Sequence, residues 1–167
     1  MQIRCEGPAD VAAVRTVNSA AFKTCAEADL VDALRAQADP IVSLVADDAG
    51  SIVGHICFSP VRLLSHPALK IMGLAPMAVL PAAQRGGIGS ALARAGLARC
   101  TDLGYVAVVV LGHPEYYPRF GFAPASRFGI RSEYHVPDEA FMVRELEAGM
   151  LTGKAGTIRY HPAFANL

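Results

Sequence analysis

The chain has 167 residues, of which 53% are hydrophobic, and its fifteen basic residues balance fifteen acidic ones. A chain of this length fits one ordinary domain, so we expect a single domain over residues 1–167. Balanced charge provides no overall field that would attract nucleic acid or an anionic membrane surface, and neither is expected as a partner. Any anionic ligand must therefore be bound by a local feature of the chain.

Four cysteines are scattered along the chain without the CxxC spacing of a structural zinc site: Cys5, Cys25, Cys57 and Cys100. This usage predicts free thiols in a reducing compartment, with no disulfide and no metal. The first residues carry charges and turn formers where a signal peptide needs an apolar stretch. The longest apolar run, residues 71–83, contains glycine and prolines and is too short to span a bilayer. We expect a cytoplasmic protein, monomeric or homodimeric, without a membrane segment.

The first half of the chain carries the period-2 and helical patterns of alternating elements. It predicts a strand at 2–5, helices at 8–22 and 27–37, and strands at 41–47, 52–64 and 70–80. The turn residues 48–51 between β-branched runs indicate a hairpin. Pro76 lies inside the next strand, and proline is tolerated there only at a sheet edge or at a bulge.

The second half continues the alternation. It predicts a helix at 89–104, a buried strand at 105–112, a helical turn at 115–120, and strands at 122–130 and 140–146. Gly104 is well placed to end the helix. The order of elements indicates an α/β (α+β) protein with a mixed sheet rather than a purely parallel one.

A glycine-rich turn, QRGGIGS at residues 84–90, connects a predicted strand to a predicted helix. Backbone N–H groups are unpaired at a helix start and the helix dipole favours negative charge, so phosphate fits this position. Glycine lets an anion approach the amides, and Gln84 and Arg85 add donors. A lone turn of this kind is more often a plain connection. The turn lacks the lysine of a Walker A loop, and Leu92 departs from a dinucleotide motif.

Two motifs point to a family. The pattern Q-x-x-G-x-G at residues 84–89, after V-x-P at 79–81, closely resembles the acyl-CoA pyrophosphate signature of the GNAT N-acetyltransferase superfamily. Downstream, YPRFGF at 117–122 resembles the Tyr-x-x-x-Gly-Phe segment beside the coenzyme thiol in that superfamily. The similarity extends over nearly the whole chain to the YhbS-like branch. VLGH at 110–113 lacks the asparagine that often precedes the tyrosine in the family.

The resemblance implies a mixed, mostly antiparallel central sheet flanked by helices and splayed at the acyl-CoA site. It implies acetyl-CoA as cosubstrate and, as acceptor, a primary amine of a small molecule or a protein. A strand that splays from its neighbour would bind the pantetheine arm, and the loop would cradle the pyrophosphate. The residues implied to bind the cofactor are Met77, Ala78, Val79, Gln84, Arg85, Gly86, Gly87, Ile88, Gly89 and Ser90.

The resemblance also implies an acid for the departing thiolate. Tyr117 is assigned that role because it precedes Gly121 by four residues, as the motif requires, while Tyr116 is the neighbouring alternative. A tyrosine in an aromatic cluster is otherwise often only a packing residue. Glu27 lies in the region that usually forms the acceptor wall, where it could deprotonate an amine through water. It is equally placed as a first-turn carboxylate favoured by the helix dipole, the commoner role.

Other reactive side chains are not assigned to catalysis. His55 and His113 lack metal-ligand spacing, and lone histidines are usually packing residues. Cys57 and Cys100 lie in apolar patterns that predict inert burial, so direct transfer is expected rather than an acetyl-cysteine intermediate. The sequence thus favours an N-acetyltransferase over two alternatives: a non-catalytic acyl-CoA-binding or sensing module, and a nucleotide-binding protein of another fold.

Overall fold

The computed structural model describes all 167 residues as nine strands and three α-helices, joined by turns and short 3₁₀ segments. The elements are β1 (Gln2–Cys5), α1 (Val11–Phe22), α2 (Ala26–Gln37), β2 (Val42–Asp48), β3 (Ser51–Leu63), β4 (Ile71–Val79), α3 (Ile88–Asp102), β5 (Ala107–Leu111), β6 (Ala123–Pro124), β7 (Ile130–Ser132), β8 (Phe141–Glu145) and β9 (Gly156–Arg159). The predicted order is confirmed through β5. Gly104 adopts φ 84° just after α3, as expected for a residue that ends a helix.

The central sheet has the neighbour order β1-β2-β3-β4-β5-β8-β6. Beside it, β9 pairs with the end of β3 and with β7. Every strand pair is antiparallel except β4 with β5 and β7 with β9. The expected mixed, mostly antiparallel sheet is therefore confirmed.

Helices cover both faces of the sheet. Because strand side chains alternate, Ile56 and Phe58 of β3 pack in the cluster that contains α3, whereas Cys57 between them packs with Leu30 of α2. A β-carbon on Gly96 of α3 would collide with the Phe58 ring, so this glycine lets the helix lie close to the sheet. The two faces thus carry separate cores, α3 on one side and α2 on the other.

The sheet opens between β4 and β5. Their parallel pairing ends at Leu74 and Val110, while β4 continues through residues 75–79 paired with β3 alone. Within this extension Ala75 and Pro76 together oppose the single residue Cys57 of β3. Pro76 therefore lies in a bulge, one of its two expected positions, and the strand edge facing β5 is left without a strand partner.

The segment after β5 differs from the prediction. The strand expected over 122–130 is wrong, because only Ala123–Pro124 and Ile130–Ser132 are strands and Ala125–Phe128 is a 3₁₀ segment. Pro124 has no N–H with which to continue a ladder, and Gly129 turns the chain at φ 69°. The predicted last strand is present as Phe141–Glu145, but a further strand, β9, follows it and was not predicted. No helix combines the length and apolar character needed to cross a membrane.

Candidate functional site

A cleft of about 770 Å³ lies where β4 and β5 separate. Its walls come from β4, the turn before α3, the segment after β5, and the start of α2. Eight of the ten residues predicted to bind the cofactor line it: Met77, Val79, Gln84, Arg85, Gly87, Ile88, Gly89 and Ser90. Ala78 and Gly86 do not line it, since Ala78 is buried within β4 opposite His55 and Gly86 lies on the exposed turn.

The turn before α3 presents a set of free amides to the cleft. No N–H group of residues 85–90 donates to a backbone acceptor, and the first such bond at the helix start runs from Ala91 N–H to Gly87 O at 3.0 Å. Gly87 adopts φ 88°, and a β-carbon built there meets no atom within 4 Å. Open space beside unpaired amides at a helix N-terminus is the geometry of an anion site.

The side chains around this turn are cationic. Arg85 and Arg119 both line the cleft, and neither forms an ion pair with a carboxylate. Arg119 Nε donates to Tyr116 O at 2.9 Å, and its guanidinium lies 4.5 Å from the centroid of the Tyr116 ring. Gln84, expected to donate to a phosphate, instead donates to Val79 O at 3.0 Å and ties the turn to β4. Arg119 lies within the motif YPRFGF, but no pattern in the sequence indicated a role for its side chain.

Tyr117 lies at the start of the 3₁₀ segment Tyr117–Phe120, where its ring packs over Gly112. A β-carbon at Gly112 would overlap that ring, so the glycine makes room for it. Burial, with a smaller effect of Tyr116, raises the pKa of Tyr117 to about 12. Its hydroxyl forms no hydrogen bond within the protein and is not an enclosed atom, since the residue lines the cleft. Tyr117 therefore presents a protonated, unpartnered hydroxyl to the cleft.

Tyr116 lines the same cleft, but its hydroxyl lies beside the start of α3. Its hydroxyl lies 3.5 Å from Ser90 Oγ, and a β-carbon on Gly89 would come within 3.0 Å of the same oxygen. The two tyrosine rings meet edge to face with centroids 5.2 Å apart. Tyr116 thus covers the first turn of α3, next to the free amides, whereas Tyr117 lies deeper. From the sequence, Tyr116 is only the alternative to Tyr117, and no pattern indicates its position beside α3.

Glu27 lines the same cleft from the first turn of α2. Thr24 Oγ1 donates to Glu27 Oε1 at 3.0 Å and accepts from Ala26 N–H at 3.3 Å, so the carboxylate also takes part in the start of the helix. Glu27 therefore lines the cleft and also takes part in the first turn of α2. It is the only acidic residue in the cleft wall.

Of the histidines and cysteines considered for catalysis, His55, Cys57 and Cys100 are buried, and His113 is not. His55 is fully buried between Asn18 and Ser43, and burial lowers its pKa to about 3. Burial likewise raises the pKa of Cys57 and of Cys100 to about 12, and neither thiol reaches the cleft. His113 does line the cleft at the end of β5.

Known proteins share this architecture. The profile described as the Acetyltransferase (GNAT) family matches residues 11–122. An Escherichia coli K12 protein named "Uncharacterized N-acetyltransferase YhbS" is 36% identical over 165 residues, which is 98% of each chain.

Two solved structures resemble the whole fold. The crystal structure of YhbS from Escherichia coli in complex with CoA superposes with a TM-score of 0.92 at 35% identity, covering 98% of this chain and 91% of that one. A GNAT family acetyltransferase from Brucella melitensis in complex with acetyl-CoA gives a TM-score of 0.81 at 38% identity, covering 98% and 97%. With the profile match and full-length similarity, these findings leave no place for a nucleotide-binding protein of another fold. The chain belongs to the GNAT family of acetyltransferases.

Proposed function

We propose that this chain, as one domain over residues 1–167, is an N-acetyltransferase that moves the acetyl group of acetyl-CoA directly to a primary amine. The observation that carries the proposal is a single cleft joining the open β4 edge, the free amides of residues 85–90 and the Tyr117 hydroxyl. Full-length relatives were solved with CoA and with acetyl-CoA, which supports the same cosubstrate here.

The cofactor would lie along β4. In an antiparallel pair, alternate residues turn their N–H and C=O groups away from the partner strand, and the bond from Leu80 N–H to Val53 O puts Met77 and Val79 among them. We assign these backbone groups, which face the opening toward β5, to the amides of the pantetheine arm. The pyrophosphate would sit on the amides of residues 85–90, with Arg85 and Arg119 neutralising its charge. Since most of these contacts would be made by the main chain, Gly86 can contribute without placing a side chain in the cleft, whereas the backbone groups of Ala78 pair with His55 of β3.

The acetyl group would transfer in one attack. The neutral amine nitrogen forms a C–N bond to the thioester carbonyl, the C–S bond breaks, and the proton lost by the nitrogen is balanced by protonation of the thiolate. An amine with a pKa of about 10.4 must first lose a proton, and we assign this step to Glu27 acting through water, because it is the one acidic side chain that lines the cleft.

Tyr117 would stabilise the departing sulfur. A thiol has a pKa of about 8.5, so complete proton transfer to a thiolate from a hydroxyl with a pKa of about 12 is uphill. We therefore assign Tyr117 as a hydrogen-bond donor to the developing thiolate, and solvent supplies the final proton. A covalent acetyl-cysteine is not part of the proposal, because the buried thiols Cys57 and Cys100 lie outside the cleft.

The proposal is tested by incubating the protein with acetyl-CoA and a panel of primary amines, while free CoA thiol and acetylated product are both measured. Amine-dependent release of CoA with a stoichiometric amide product is expected. Tight acetyl-CoA binding in calorimetry with no amide from any amine would instead support the non-catalytic acyl-CoA-binding module.

A further inference from the structure

The cleft has two chemically different halves. The half beside α3 contains the free amides, the two arginines and polar side chains, as described above. The other half, beside the start of α2 and the end of β5, is mostly apolar. We call it the apolar half, and it is lined by Phe22, Glu27, Leu30, Ala75, Leu111 and Leu167.

This half contains three exposed hydrophobic side chains. Only six large hydrophobic residues are exposed, and three of them line the apolar half: Phe22 at 38%, Leu111 at 50% and Leu167 at 58%. Single exposed hydrophobic residues are ordinary, but a cluster at the mouth of a cleft marks a surface that a ligand covers. Phe22 ends α1 and Leu111 ends β5, so separate elements converge on one patch.

The polar groups of the apolar half are few. Glu27 provides its one acidic side chain, held on one oxygen by Thr24, and His113 also lines the cleft. An amino sugar or a polyamine needs several hydrogen-bonding or acidic partners, because its polar groups lose water on entering the cleft. One carboxylate in an apolar wall instead matches a ligand with one cationic end and an apolar body.

We infer that the acceptor is an apolar primary amine, an alkylamine or arylalkylamine, whose body packs on Phe22 and Leu111 and whose nitrogen faces Glu27 and the thioester. This inference rests on the proposed acetyl transfer and narrows its substrate class. A buried methylene favours binding by an amount that corresponds to about fourfold in an equilibrium constant. The specificity constant kcat/KM should therefore rise by about fourfold for each methylene until the apolar half is filled.

The test compares n-alkylamines from propylamine to octylamine with polar acceptors of matched size. Hexylamine and 1,6-diaminohexane form the critical pair, because they share a chain length and differ in one terminal charge. Phenethylamine and glucosamine form a second pair. We expect kcat/KM to increase along the alkyl series and to be at least tenfold higher for the apolar member of each pair.

Substitutions of Leu111 and Phe22 test whether these side chains cause the preference for apolar amines. Leu111→Asp and Phe22→Ser should each flatten the chain-length dependence, whereas Leu64→Asp should not, because Leu64 is similarly exposed, at 41%, but lies outside the cleft. Equal or better use of the polar member of each pair would overturn the inference and leave the transfer proposal standing. Absence of an amide product from every amine, polar or apolar, would overturn the transfer proposal itself.

Discussion

Replacing Tyr117 with phenylalanine removes one oxygen and keeps the ring packed over Gly112. Because the hydroxyl has no partner in the protein, the free energy of unfolding should change by less than about 1 kcal/mol. The affinity for acetyl-CoA should also hold. Loss of one oriented donor to a developing anion costs about 2.7 kcal/mol, so kcat should fall by roughly 10²-fold.

The assay is steady-state release of CoA thiol with a verified amine acceptor, combined with calorimetric titration of acetyl-CoA. Tyr116→Phe is the matched control, since it removes a hydroxyl 3.5 Å from Ser90 Oγ in the same aromatic cluster. We expect that control to retain kcat and to show any effect in cofactor affinity. A normal kcat for Tyr117→Phe with loss in Tyr116→Phe would transfer the role to Tyr116. Full activity in both would refute a tyrosine donor.

Three further outcomes are expected. Gly87→Ala should destabilise the fold by about 1 kcal/mol, because φ at this position is 88°. It should weaken acetyl-CoA binding more than tenfold, because the methyl group would fill open space beside the free amides. Unchanged affinity in calorimetry would contradict this. Cys57→Ala and Cys100→Ala should retain the wild-type rate if they fold, and mass spectrometry should find no acetylated cysteine that turns over with amine. Burial lowers the pKa of His55 to about 3, so between pH 6.5 and 3 the unfolded chain binds a proton that the folded chain excludes. Denaturant titrations should therefore show the free energy of unfolding decreasing below pH 6.5, by up to about 1.4 kcal/mol per pH unit, and a smaller slope in His55→Gln.

Local patterns predicted the elements up to β5 because each has a clear period and a distinct end. The free amides of residues 85–90 could be predicted because they follow from helix geometry alone, whereas anion binding there was expected only with the family resemblance and stays a prediction. The opening between β4 and β5 could not be derived in this way, since strand pairing joins distant residues, and it was expected only through the family resemblance. The error over 122–130 has a local cause, since Pro124 and Gly129 interrupt an otherwise strand-like stretch.

The parts of the cleft that the backbone forms could be predicted from the sequence, whereas the relative positions of the side chains that line it could not. Tyr116 and Tyr117 are adjacent in sequence, and only the packing of their rings shows that one hydroxyl covers α3 while the other faces the deeper cleft. Phe22 and Leu111 lie far apart in the chain, so no spacing pattern could bring them together. The charge of Arg119 alone did not indicate that its side chain lies at the cleft, which follows from its stacking on Tyr116.

The open edge of β4 has a consequence for how such a protein changes over evolution. In the proposed complex, donor recognition relies on backbone groups that every residue type except proline possesses, so β4 could accept many substitutions at Met77 or Val79 without losing the donor. The inferred acceptor recognition relies instead on the exposed side chains of Phe22 and Leu111, whose identity the packing of the core does not constrain. Point changes at Phe22 or Leu111 can therefore redirect the enzyme to new amines while the acyl donor stays fixed, and acceptor walls can be grafted between relatives as independent parts.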